Sequence, residues 1–264
     1  MPLWRLRLPL SPPRRLPVRR CGCAELDAIY THPADLLSTQ VAQRYVASPA
    51  LYRGRKFDVR VLVAVRSFAP QPDALTWGTV YVRAANRAYT AAPAALGDFQ
   101  TQFTSMRQGG FEEEAVSVAD LAAELAAQGL DWAAAEERMR AMIRALLLAA
   151  GQGPVAAACT ALEPGCSSGG AFPRARALYG VDVMFDAALN PKLLEVRIRR
   201  NASSGAPNRS MRSCLLLLAF VAPAPGPQVT FCPGVERPMA SDPLFFDKLF
   251  GCLFLGESAG FETL

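Results

Sequence analysis

Three charged residues alternate through an apolar stretch, Lys56-Phe57-Asp58-Val59-Arg60, and their types suit the handling of a phosphorylated ligand. In an extended chain successive side chains point to opposite sides. Lys56, Asp58 and Arg60 therefore share one face, while Phe57, Val59, Val61 and Val63 take the other. Such a plus-minus-plus row is either a solvated face laced by salt bridges or the wall of a site. A pair of carboxylates lies further on. If the segment Ala187-Ala188-Leu189-Asn190-Pro191 turns near Ala188-Leu189, antiparallel pairing sets Asp182 opposite Glu195 on one face. Like charges so opposed destabilise a sheet unless a cation sits between them. Magnesium, held by one or two carboxylates plus phosphate oxygens, suits that place. Lysine and arginine from a neighbouring strand would neutralise the rest of a triphosphate. A register slipped by one residue would turn one carboxylate outward instead, and both arrangements stay open at this point.

The elements that must position these residues follow from hydrophobic spacing. Phe57 to Val65 alternates strongly and predicts a strand, with further strands over Val41–Tyr45 and Thr76–Arg83 and a loop at Ala84–Arg87. The pattern turns helical from Val118 to Gln128 and stops at Gly129. Asp131 can cap a longer helix reaching Ala150, with Trp132, Met139, Ile143 and Leu147 on its apolar face. Residues 160–174 are rich in Gly, Ser and Pro and predict a loop. Strands Leu178–Asp186 and Lys192–Val196 follow, and Pro243–Phe254 predicts a closing amphipathic helix. Strands and helices without a βαβ rhythm predict an α+β fold with a largely antiparallel sheet.

Composition narrows the function. The chain has 264 residues, 51% of them hydrophobic, with a net charge of +5, enough for one sizeable core or two small ones. Arg5, Arg7, Arg14, Arg15, Arg19 and Arg20 all precede the first acid, Glu25. The remainder is near neutral, which argues against a nucleic-acid footprint. Residues 1–20 predict a basic, disordered tail, because Pro9, Pro12, Pro13 and Pro17 would break the helix of a transit peptide. The longest apolar run, Cys214 to Ala222, is too short to span a membrane. Seven cysteines without zinc spacing or an even disulfide framework predict reduced thiols and a cytoplasmic protein. His32, the single histidine, precedes a proline and predicts a loop residue. Gly151-Gln152-Gly153 ends a helix and follows no strand, so it is no phosphate loop.

Several short motifs carry a resemblance. RKFDVRVLVAV resembles the KFD(I/V)R strand of the tubulin–tyrosine ligase-like family, and VYVRAANRAY, YGVDVMFD, LLEV and the terminal ERPMASDPLFFDKLFGCLFL are similar to members of that family. The likeness runs from about Val41 to the C-terminus. It implies the C-terminal part of an ATP-grasp fold, a magnesium- and ATP-dependent ligase that joins amino acids to proteins, and tubulin or another acidic protein tail as partner. It further implies that Lys56, Asp58 and Arg60 lie on the nucleotide and substrate strand, Lys56 and Arg60 toward the nucleotide and Asp58 orienting them or touching substrate. Arg83 is then expected to reach the same cleft, and Asp182 and Glu195 to hold magnesium. Asparagine is expected as a third metal ligand shortly after Glu195. Here Glu195 is followed by Val196 and Arg197, and then by a segment without period. Deleting Val196 to Gln228 restores LLEVTFCPGVER in the family register and puts Thr230 at the asparagine position. The segment therefore reads as translated intron, its ends compatible with splice-site codons, or as a loop of this protein's own. Residues 21–264 are then a partial ligase-like domain interrupted at 196–228. The resemblance also leaves the N-terminal half of the fold, with its phosphate-closing lysines, unaccounted for. With Thr230 a weak ligand, the expectation is a protein inactive as written, either a crippled ligase or a non-catalytic module that recognises protein tails.

Overall fold

β1 (Leu51–Tyr52) and β2 (Arg55–Ser67) form a hairpin pairing Leu51 with Lys56 and Tyr52 with Arg55. Its turn residues, Arg53 and Gly54, have φ of 50° and 72°, the left-handed pair that matches a two-residue turn to the twist of its strands. The computed structural model to which these strands belong describes residues 43–67, 71–152, 176–197, 229–230 and 242–264. The expected tail at 1–20, His32, the loop 160–174 and the body of the 196–228 segment lie outside the described residues.

The other elements are β3 (Asp73–Trp77), β4 (Tyr81–Ala88), α1 (Phe99–Gln102), α2 (Val118–Ala127), α3 (Trp132–Gln152), β5 (Arg176–Phe185), β6 (Pro191–Arg197), β7 (Val229–Thr230), α4 (Phe245–Phe250) and β8 (Phe261–Thr263). The strands run in the order β6-β5-β2-β3-β8, with β1 and β4 also on β2 and β7 on β5. β2 is antiparallel to β1, β3 and β5, and β3 to β8, while β7 runs parallel to β5. This is the α+β class with a mostly antiparallel sheet.

The chain divides into two compact units, the first 1–58, 82–132 and 184–192, the second 59–81, 133–183 and 193–264. In the first, Ser117 caps α2 by accepting the Asp120 amide at 3.0 Å, and Gly129 (φ 75°) ends it as expected. Phe185 stacks on Phe57 and meets Trp132 edge-on. In the second, α3 buries Ala135, Met139, Ile143 and Leu147 as one stripe at helical spacing. Arg140 reaches from it to Thr76 Oγ1 (2.9 Å) and Glu262 (2.8 Å), tying α3 to β3 and β8. The core of this unit gathers Leu62, Ala64, Leu75, Trp77, Leu178, Phe245, Leu249, Cys252, Leu253 and Phe261. Trp77 lies edge-on to Phe245 and Phe261, with both ring centroids at 5.1 Å.

Three expectations need correcting. The single strand Thr76–Arg83 is two strands, because the chain leaves β3 at Gly78, whose amide binds the Gly260 carbonyl at 3.1 Å. The loop Ala84–Arg87 is strand, being part of β4. Of the strand Val41–Tyr45, the described part makes only a bridge at Arg44, and Tyr45 gives its side chain to the polar cluster described below. The closing helix forms, but as α4 followed by a π turn over Gly251–Leu255 that Gly256 terminates with φ 76°.

Gly260 lends itself to a direct check. Its φ is +76°, and a Cβ there would lie 2.7 Å from Trp77 Cζ3. Left-handed strain and overpacking together predict a loss of about 2–4 kcal/mol for Gly260→Ala. Urea denaturation should show it as a lowered midpoint with an unchanged slope.

Candidate functional site

β2 carries the charged row as expected: Lys56, Asp58 and Arg60 occupy alternate positions and all three are buried. Buried charge is costly unless paired, and each of the three has a partner.

In the first unit, Asp58 is held by Arg83 from β4. Arg83 Nε donates to Oδ1 at 2.7 Å and Nη2 to Oδ2 at 2.6 Å, a two-pronged pair whose side chains are 7% and 3% exposed. Thr104 adds a hydroxyl donor to Oδ2 at 2.9 Å. Lys56 donates to the Tyr45 hydroxyl at 3.1 Å. Its ammonium lies 4.3 Å from the Tyr45 ring centre and 5.8 Å from that of Tyr89, within cation–π range. Tyr45 donates in turn to Gln102 Oε1.

Thr104 and Gln102 reach these partners from the turn that α1 begins. Asp98 caps it, accepting from the Gln100 amide at 3.1 Å and the Thr101 hydroxyl at 2.7 Å. Phe99 stacks on Phe103 at 4.5 Å and leans on Phe111, which anchors the turn. Thr101, Gln102 and Thr104 are all buried.

The Thr101 hydroxyl holds the Asp98 carboxyl below the ordinary carboxylate range, against a smaller opposing effect of burial. A lowered folded-state value stabilises the fold above the unfolded-state value and is lost as pH falls through the folded one. NMR titration should find Asp98 titrating at lower pH than a free aspartate, and Thr101→Val should move it back up.

In the second unit, the antiparallel register sets Arg60 directly opposite Asp182. Arg60 Nε and Nη2 donate to the two Asp182 oxygens at 2.7 and 2.8 Å, with side chains 10% and 2% exposed. Asp182 thus has an arginine as a positive partner within the fold.

Glu195 lies half-buried on β6, the strand next to β5 in the sheet. The hairpin between them closes with the Asp186 amide on the Asn190 carbonyl at 3.1 Å, and Leu189 takes φ 57° to complete the turn. The Asp186 carboxylate accepts from the Ala188 and Asn190 amides and pairs with Lys192. Thr230, on β7, pairs with Ala177, five positions along β5 from Asp182.

Among the described residues, no group of three or more His, Cys, Asp or Glu is placed to hold a metal. Two carboxylates are nonetheless hard oxygen donors of the kind magnesium prefers, since it draws most of its ligands from phosphate and water. No helix among the described residues is long and apolar enough to cross a membrane.

The sequence alone does not single out Gln102, Thr104 and Tyr89. Polar residues in an aperiodic turn look like solvated loop, and only the aromatic spacing of Phe99, Phe103 and Phe111 hints that the turn is anchored.

Comparison with known proteins agrees with the motifs. A family model described as "Tubulin-tyrosine ligase family" matches residues 28–217, well over half of the chain. No curated protein matches it.

Proposed function

Because the chain belongs to the tubulin-tyrosine ligase family, we propose that it binds ATP with magnesium through an ATP-grasp-type site and engages tubulin or another acidic protein tail. The observation that carries this reading is the burial of three alternating charges on β2 together with Asp182 opposite Arg60. Folding keeps buried charges at a cost, and a triphosphate with its metal is a ligand that uses both signs.

In this reading Lys56 and Arg60 hold phosphate oxygens. Arg83 receives a substrate carboxylate, and Asp58 fixes its guanidinium in plane. Asp182, Glu195 and Thr230 would hold magnesium, which when bound neutralises charge on the transferring phosphoryl group. The family's reaction runs in two displacements. A carboxylate oxygen takes the γ-phosphoryl group as ADP leaves, and an amine then displaces phosphate to form the amide.

Within the family, we read the motifs as similar to those of tubulin–tyrosine ligase-like protein 12, a divergent member. We place the protein in the cytoplasm, and assign 196–228 to translated intron. Transcripts reading uninterrupted through that segment in most molecules would remove the last assignment.

A second reading, a non-catalytic module that recognises protein tails, is favoured by one contact. Arg60 already neutralises Asp182, so the fold does not need a metal at that position.

Thr230 separates the two. A hydroxyl is a poorer oriented ligand than an amide carbonyl, so Thr230→Asn should strengthen magnesium-dependent ATP binding by about tenfold, near 1.4 kcal/mol. Thermal shift with ATP and magnesium measures it. Binding that improves without amino-acid incorporation into tubulin indicates a binding module. No shift with ATP in either form overturns the nucleotide reading.

A further inference from the structure

We infer that Gln102 is a positioning residue that fixes Lys56 through the Tyr45 hydroxyl, an inference that rests on the reading of Lys56 as a ligand-contacting residue. The argument is one of donors and acceptors. Gln102 Nε2 donates to the Thr90 carbonyl at 2.8 Å. A carbonyl oxygen can only accept, so this bond settles which end of the amide faces which way. Gln102 Oε1 is therefore the end that meets Tyr45, and it too can only accept, so the Tyr45 hydroxyl must donate to it. With its one proton committed, the Tyr45 oxygen presents lone pairs to the Lys56 ammonium 3.1 Å away. The relay runs in one direction, from Lys56 to Tyr45 to Gln102 to the backbone of residue 90.

Burial gives the relay its purpose. Gln102 is 6% exposed and Lys56 is 4% exposed, so water cannot take over either role cheaply. A long, flexible lysine loses its reach if its stem is free to rotate. Here its ammonium is held at the hydroxyl edge of one ring and near a second, Tyr89. Gln102 itself is held by the turn that Asp98 caps.

The test measures Lys56 directly. The full-length chain is acylated with trace acetic anhydride, and labelling of each lysine is read by mass spectrometry. Gln102→Met keeps the length of the side chain and removes both hydrogen bonds. It should raise Lys56 labelling about fivefold, the ratio that one net hydrogen bond sustains. Lys192, already exposed and paired with Asp186 in the same unit, should not change, nor should hydrogen exchange at the buried Phe57 amide, which general loosening of the unit would speed. Tyr45→Phe, which keeps the ring at a half-buried position, should give the same rise, so a poorly folding Gln102→Met does not end the test. The double variant should be no worse than either single one, since both cut one relay. Magnesium-ATP affinity should fall in step with the labelling. Unchanged Lys56 labelling in Gln102→Met beside a rise in Tyr45→Phe, or additive effects in the double variant, overturns the relay. A parent chain without ATP affinity overturns the proposed function instead, and the labelling comparison, which needs no nucleotide, still decides the relay.

Discussion

Arg83→Met should lower the free energy of unfolding by about 3–5 kcal/mol, the range for removing one member of a buried ion pair. The loss is large because of what remains. Asp58, with its side chain 3% exposed, would keep only the Thr104 hydroxyl as a partner among the contacts given above, and one neutral donor does not replace a two-pronged guanidinium. Arg83→Lys should recover part of the charge and little of the geometry, since a single ammonium cannot address both oxygens. Replacing both residues, as in Asp58→Leu with Arg83→Met, should cost less than Arg83→Met alone, because no charge is then stranded. Chemical denaturation of the parent, Asp58→Leu, Arg83→Met and the double variant forms the cycle. Equal stability of Arg83→Met and the parent would show that Asp58 finds water or another donor, and that the pair is not closed as described.

Asp182→Asn should do two separable things. It removes the charge opposite Arg60, whose side chain is 10% exposed, and breaking a buried pair of this kind costs about 3–5 kcal/mol. On the functional reading it also removes a magnesium ligand, so the folded fraction should lose magnesium-dependent ATP affinity by on the order of a hundredfold or more. Calorimetric titration below the melting transition keeps the effects apart. A destabilised variant that binds magnesium-ATP as the parent does would make Asp182 a structural counter-ion of Arg60 and nothing else. Glu195→Gln is the natural companion. Its half-buried carboxylate predicts a smaller stability change with a comparable loss of metal dependence.

The sequence made the local elements visible and hid the non-local ones. Alternation of valines with charges announced β2 without ambiguity, because both of its faces are buried and both signals were strong. α2 and α3 are legible through apolar spacing and through Gly129 and Asp131. The break at Gly78 was invisible, since it depends on a carbonyl at residue 260 that no local pattern reveals. The same holds for the charges. That Lys56, Asp58 and Arg60 alternate on one strand follows from the period of a strand. That Arg60 faces Asp182 follows from the register of two strands more than a hundred positions apart, which no local pattern in either strand reveals. Gln102 and Thr104 were least legible, because a buried polar turn and an exposed one have the same composition.

The register of β2 has a consequence for how the protein breathes. Val63, Ala64 and Val65 each pair with β5 on one side and with β3 on the other, so every amide proton in this stretch points at a neighbouring strand rather than at water. Deuterium can enter there only when a whole flank of the sheet comes away. The isotope clock of these three amides should therefore run at the pace of the largest opening that this part of the chain undergoes. A ligand bound anywhere on the second unit would be felt at Val63–Val65 as slower uptake, even though nothing it touches lies on those residues.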